Sequence, residues 1–272
     1  MEISEQVLKG VGKHFVSLSC IQRDANSREV AVLVFSGFVI RVSGVWIFVS
    51  AGHILETIRS VTEAGHSFDV WRLGDQTGNR RFGDSTIPFD FDIGDWLVLD
   101  DDSRGLDYAA VVLRPLFQEA LAEGGIVPLS ESTWGNPWSD DYERRFAVGI
   151  PEESVRRSGE STIKCGFAIA PMRRAELPPD GFVKRENQFY SKLDDDPSAV
   201  IKDLKGMSGS PVFSCKIENG QLYYRLLGVQ SAWYRSLRIV AACSIASFGM
   251  AVKQALDDVS ALDQTVDGES ES

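Results

Sequence analysis

Histidine and cysteine are scarce in this chain: three histidines and four cysteines occur among 272 residues. The cysteines, Cys20, Cys165, Cys215 and Cys243, lie far apart and form no C-x-x-C pair, which argues against a zinc knuckle. They read as reduced, buried thiols. Long apolar runs are also missing. The longest, Ile239 to Val252, is broken by Ser244 and Ser247 and falls short of the about 18 residues that mark a membrane-spanning helix. Basic charge is in deficit, with 28 Lys and Arg against 39 Asp and Glu and a net charge of −11. That balance disfavours nucleic acid and anionic membranes as partners. Met1 to Glu5 show no basic stretch leading into an apolar run, so no secretory signal is read there and a cytoplasmic location is expected.

Composition is otherwise that of a globular chain, 43% hydrophobic and 25% charged, which excludes disorder over most of its length. Strand signals dominate. Phe38–Val42 and Val45–Val49 are β-branched and aromatic runs joined by Ser43-Gly44, the pattern of a hairpin. Similar runs occur at His14 to Ile21, Glu29 to Phe35, Phe68 to Leu73, Tyr108 to Leu113, Phe146 to Ile150 and Thr162 to Ile169. A later hairpin is clearer: Pro211 to Glu218 and Gln221 to Gln230 flank Asn219-Gly220, a pair suited to a tight turn with positive φ. Helices are expected at Ile54 to Ala64, at Leu116 to Glu123, and after a capping Ser247. Many short strands with little helix imply a sandwich or barrels. The segment Ser130 to Tyr142 reads as a crossing between two β subdomains. Asp90, Asp92 and Asp95, Asp100 to Asp102, and Asp194 to Asp196 do not match a calcium-loop pattern and read as solvated loops. No metal site or cofactor is expected.

Three residues stand out chemically. His53 follows an apolar strand and small residues, in Ser50-Ala51-Gly52-His53, where a strand would deliver a general base to a barrel rim. His14 reads as structural and His66 as a loop residue. Ser208 lies in Gly206-Met207-Ser208-Gly209-Ser210-Pro211, among small residues that permit close approach of a substrate. The N–H groups of Gly206 and Ser208 are placed to form an oxyanion hole. The segment is no α/β-hydrolase elbow, because Ser210 replaces the second glycine and a strand follows. Ser161-Thr162-Ile163-Lys164 matches S-x-x-K but lacks the elements that accompany it. Asp107, just before an apolar strand, fits the carboxylate that orients an imidazole. The order is His, Asp, Ser, with separations of 54 and 101 residues.

Together with Ser36-Gly37-Phe38-Val39-Ile40, Leu106-Asp107-Tyr108-Ala109-Ala110 and Leu227-Gly228-Val229-Gln230-Ser231, these segments resemble the trypsin-like, chymotrypsin-fold serine peptidases over about residues 14 to 256. The resemblance implies an all-β fold of two packed six-stranded antiparallel barrels with a C-terminal helix. It divides the chain into a first barrel at 1–128 carrying His53 and Asp107, a second at 129–256 carrying Ser208, and an acidic tail at 257–272 without order. It implies His53 as base, Asp107 as its orienter and Ser208 as nucleophile of an acyl-enzyme mechanism, with Gly206 and Ser208 as oxyanion donors. Ser231 matches the serine beside the buried aspartate, and Ser231-Ala232-Trp233 the strand that pairs with a bound peptide. Lys202 falls where the family places its pocket base, which would favour an acidic side chain. Two features depart from secreted members: no cysteine lies near His53, and Met207 stands where trypsins carry an aspartate. The expected partner is a protein or peptide substrate, with a regulatory protein as a second. A stand-alone cytoplasmic domain of this kind further resembles effectors of bacterial stress or antiphage systems. A silent peptide-binding scaffold and an esterase are the alternatives.

Overall fold

The computed structural model describes residues 3–75, 86–142, 144–158, 162–175, 184–194 and 203–256. The first half contains α1 (Ile3–Val11), β1 (Phe15–Arg23), β2 (Glu29–Val42), β3 (Val45–Ser50), α2 (Gly52–Glu63), β4 (Ser67–Asp75), β5 (Ile87–Pro88), β6 (Leu97–Asp101), β7 (Leu106–Val112) and α3 (Pro115–Glu123). The second contains β8 (Leu129–Ser130), β9 (Arg144–Gly149), β10 (Arg156–Ser158), β11 (Thr162–Lys164), β12 (Ala168–Ala175), β13 (Gln188–Leu193), β14 (Pro211–Glu218), β15 (Gln221–Tyr234) and β16 (Ile239–Ser244), followed by a helix over residues 245–256. The chain is mostly β, with a closed six-stranded antiparallel barrel beside a second sheet.

The barrel runs β12-β13-β16-β15-β14-β9, back to β12. The other sheet runs β5-β4-β1-β2-β3-β7-β6, with β8 pairing β2 in parallel. Six of its strands are long, the number expected for a barrel, and the two-residue β5 and β8 are added to them. Among the described residues its end strands β5 and β6 are not bonded to each other.

Period-two alternation divides the strand residues between three apolar clusters. Phe48, Val39, Ala109 and Val111 turn into the first sheet, where α2 and α3 cover them with Leu55, Ile58, Phe117 and Leu121. Ala147, Val212, Leu227 and Ala242 fill the barrel. The opposite faces of the same strands, with Phe38, Val49, Tyr108, Phe146, Val148, Phe213 and Val229, meet in one cluster that joins the two halves. Val7 and Val11 of α1 and Phe248 of the C-terminal helix also enter it. Among the described residues no helix is long and apolar enough to cross a membrane.

Several expected elements are redrawn. Glu29 to Phe35 and Phe38 to Val42 form one strand, because Ser36-Gly37 continues extended; a Cβ on Gly37 would lie 2.4 Å from Phe48 Cζ. Thr162 to Ile169 divides into β11, which among the described residues pairs with β10, and β12 in the barrel. The C-terminal helix begins two residues before Ser247. The Asn219-Gly220 turn has positive φ at both residues, as expected, and so does the Ser43-Gly44 turn of the other hairpin. The 257–272 tail, Ser161, Asp195, Asp196 and Lys202 lie outside the described residues.

His14 ties three parts together. It is 3% exposed; its Nδ1–H donates to Val127 O, which leaves Nε2 to accept from the Tyr224 hydroxyl at 2.8 Å. Burial is the main cause that drives the ring pKa down to about 4, with the Lys13 charge adding to it and the Val127 bond opposing it. The folded state therefore refuses a proton that the unfolded chain takes up near pH 6.5. Unfolding free energy should fall by up to about 3 kcal/mol as pH drops from about 6.5 to about 4. Denaturation curves across that range should show this component in the wild type and lack it in His14→Gln.

Candidate active site

The junction of β3 and α2 sets the first group. Ala51 occupies the N-cap position and offers no side-chain cap. Asp107, at the start of β7, supplies the acceptor instead: its Oδ1 takes the backbone N–H of His53 at 2.9 Å. Its Oδ2 takes the ring Nδ1–H of the same residue at 2.8 Å. Gly52 permits this approach, since a Cβ there would lie 3.0 Å from Tyr108 O and 3.2 Å from Asp107 Oδ1. Asp107 is 5% exposed, whereas the His53 side chain is 42% exposed. The bond at Nδ1 fixes the tautomer, so the outer Nε2 is left as a lone pair.

Electrostatics reinforce the pair. Desolvation is the largest single influence on His53 and lowers its pKa, but the Asp107 hydrogen bond and charge, aided by Asp100, outweigh it and the net shift is upward. For Asp107, desolvation raises the pKa most. The His53 ring bond and charge, the Ser231 hydroxyl and the His53 backbone N–H together reverse that, and the carboxyl stays below its usual range. The N-terminal end of α2 favours this anion as well.

The second group is the turn between Leu204 and Pro211. Gly206 and Gly209 both have φ of +85°, and Ser208 is half-buried between them. Met207 N donates to Leu204 O and Ser210 N to Met207 O, both at 3.0 Å, and Gly209 N donates to Gln230 O at 2.9 Å. Among the described residues the N–H groups of Gly206 and Ser208 have no acceptor. A Cβ on Gly209 would lie 2.3 Å from Ser50 Oγ and 3.1 Å from Ala51 N. The residue after Ser208 is thus in contact with the segment immediately before His53. No hydrogen bond joins His53 Nε2 to Ser208 Oγ in this structure, and such bonds commonly tighten only when substrate binds.

Around these groups lie the other residues read from the sequence. The Ser231 hydroxyl faces Asp107. The ladder of β14 with β15 ends at Pro211 opposite Val229, while β15 runs on through Ser231, Ala232 and Trp233 to Tyr234. The Trp233 indole donates to Asp203 Oδ1 at 2.9 Å, beside the Ser208 turn.

Three neighbours escaped sequence reading. Asp100, taken for a solvated loop, stands directly opposite Asp107 on β6. Burial and the Asp107 charge raise its own pKa. Cys243 lies behind Asp107, with its thiol donating to Gly105 O at 3.2 Å and its pKa pushed up to about 12 by burial, so it stays protonated. The Gln188 amide points at that sulfur from 3.9 Å. Only Asp100 left a signal, as the first acid of a strand paired with β7. NMR titration of the His53 ring should give a midpoint above 6.5. Asp107→Asn and Asp100→Asn should both lower it, the former by more.

No protein-family model matches this sequence, and no curated protein matches it significantly. Among solved structures the chain is similar to the thermostable serine protease AL20 from an extremophilic microorganism, with a TM-score of 0.45 and 10% identity, covering 86% of this chain and 91% of that one. It is also similar to the protease Anisep from Arthrobacter nicotinovorans, with a TM-score of 0.45 and 13% identity, covering 85% of this chain and 90% of that one.

Proposed function

We propose that this chain is a serine endopeptidase in which Ser208 is the nucleophile, His53 the general base and Asp107 its orienting carboxylate. The observation that carries the reading is a buried carboxylate that gives both oxygens to His53 while the Ser208 turn rests against the residues preceding that histidine. A lone buried Asp–His pair could be structural. The paired idle donors of Gly206 and Ser208 beside a hydroxyl favour chemistry.

In this mechanism Ser208 Oγ attacks the carbonyl carbon of the scissile peptide, and its proton passes to His53 Nε2. Negative charge gathers on the carbonyl oxygen, which the Gly206 and Ser208 N–H groups receive. Asp107 stabilises the imidazolium without taking its proton. Nε2 then gives that proton to the departing amine, leaving an ester on Ser208. Water, deprotonated by His53, hydrolyses the ester and restores the hydroxyl. The substrate backbone lies along β15 beyond Val229, adding a strand at Ser231 to Trp233. The expected role within bacterial stress or antiphage defence belongs to this proposal through its target. Cleaved protein termini should separate cells carrying the active chain from those carrying Ser208→Ala.

Ser208→Ala should lower kcat/KM on a peptide substrate by about 10⁴-fold or more, and Asp107→Asn by about 10⁴-fold. A fluorophosphonate should label Ser208 in the wild type and not in His53→Ala. An unlabelled wild type that still binds peptides would assign the scaffold reading instead, and turnover confined to small esters would assign an esterase. The base must be neutral, so kcat/KM should rise with pH along a limb whose midpoint lies above 6.5, the ordinary value for imidazole. Asp100→Asn should move that limb to lower pH.

A further inference from the structure

We propose that Met207 is the positioning residue of the oxyanion-binding turn: its side chain, sunk in the barrel core, fixes the backbone so that the Gly206 and Ser208 N–H groups project together. The inference rests on the peptidase reading and adds how that site is held.

The turn is intrinsically loose. Two glycines with left-handed φ bracket Met207, and glycine loses more conformational freedom on ordering than any other residue. Something must hold the segment in one conformation. Backbone bonds from Glu152 N to Lys205 O at 2.8 Å and from Gly209 N to Gln230 O at 2.9 Å tie down the residues on either side of Met207, while the ion pair of Lys205 with Glu152 at 3.0 Å joins side chains that are 72% and 59% exposed, and such pairs contribute little. Met207, in contrast, is 0% exposed and packs in the same cluster as Leu204, Ala147, Val212 and Leu227. Its methyl reaches Gly149: a Cβ at that glycine would lie 3.0 Å from Met207 Cε. An unbranched thioether suits such a narrow space.

The backbone shows the consequence. Both polar groups of Met207 are used within the turn, N–H on Leu204 O and C=O on Ser210 N–H. Among the described residues the N–H groups on either side of Met207 are the two in the turn without acceptors. Rotation of the Met207 peptide would turn the flanking donors apart. The buried side chain opposes that rotation, and being uncharged it does so independently of salt.

The test compares Met207→Leu, Met207→Val and Met207→Ala in the full chain, with folding checked by circular dichroism and active sites counted by fluorophosphonate. Each is assayed for kcat and KM on one peptide substrate, for affinity towards a peptide boronate, whose tetrahedral adduct places an oxygen between the two donors, and for affinity towards the cleaved product peptide. Met207→Ala should lose about 10- to 100-fold in kcat per labelled site and in boronate affinity, with KM and product affinity changed less than about threefold. Met207→Leu, which refills the space, should recover most of the loss, and Met207→Val should fall between. If Met207→Ala does not fold, Met207→Val against Met207→Leu decides by the same comparison. Wild-type kcat per labelled site in the truncated variants, or product affinity falling in parallel with boronate affinity, would overturn the assignment. A wild type that neither hydrolyses peptide nor binds boronate would remove the peptidase reading as well, so the two failures are distinguishable.

Discussion

One carboxylate organises the front of this molecule. Asp107 spends Oδ1 on the first turn of α2 and Oδ2 on the imidazole carried by that turn. The two bonds are not independent. The first fixes where the His53 backbone starts, and the second fixes where its ring ends, so the residue is held at both ends by one rigid planar group. Removing such a buried carboxylate from water is costly unless it is well satisfied. Here the backbone N–H, the ring N–H, the Ser231 hydroxyl and the end of a helix together supply that satisfaction. The same burial that makes Asp107 costly to place makes it hard to move.

That arrangement would be of no use if the two halves of the protein could shift. The strand that begins with Asp107 prevents it. Tyr108, the next residue, donates its hydroxyl to Ser244 O at 2.7 Å and stacks on Phe248 of the C-terminal helix at 4.6 Å. On the other side of the seam, Ser50 Oγ donates to Ser36 O, and Ser36 Oγ accepts the N–H of Ile150 at the end of β9. Gly209 closes against both serines. Asp107 and Ser208 thus each have a sequence neighbour that touches the opposite half. The register between Ser208 and His53 is therefore set by the seam cluster, and a mutation there, far from any reacting atom, would be felt as misalignment.

Local chemistry was legible in the sequence where it depends on near neighbours. Asn219-Gly220 and Ser43-Gly44 announced their turns because few residue pairs tolerate positive φ twice in succession. The order and strand context of His53, Asp107 and Ser208 suggested the roles proposed for them, and the small residues around them suggested close packing. Features set by distant partners were not legible. Ser36-Gly37 looked like a break, yet its pairing with Val16 and Ser17 on β1 keeps it extended, and Phe48 leaves no room there for a side chain. Asp100 looked like one more acid in a solvated run, because only the β6–β7 register puts it opposite Asp107. Helix α1 gave no expectation at all. Its apolar Val7 and Val11 gain meaning only from the cluster they enter.

His14 and His53 show how completely the surroundings decide such a side chain. His14 and His53 both lose solvent, and for both desolvation is the largest single influence, pressing the pKa down. What differs is the partner. His14 meets a carbonyl and a phenol, neutral groups that satisfy its nitrogens without rewarding a positive charge, and a nearby lysine opposes one. His53 meets a carboxylate in contact and a second one across the strand pair. Its net shift is therefore opposite in sign. Between about pH 4 and the ordinary imidazole value, the seam stays uncharged at His14 while His53 holds its proton. Acid thus reaches the base of the candidate site before it reaches the joint that aligns it, and loss of a working base on acidification precedes loss of the structure that positions it.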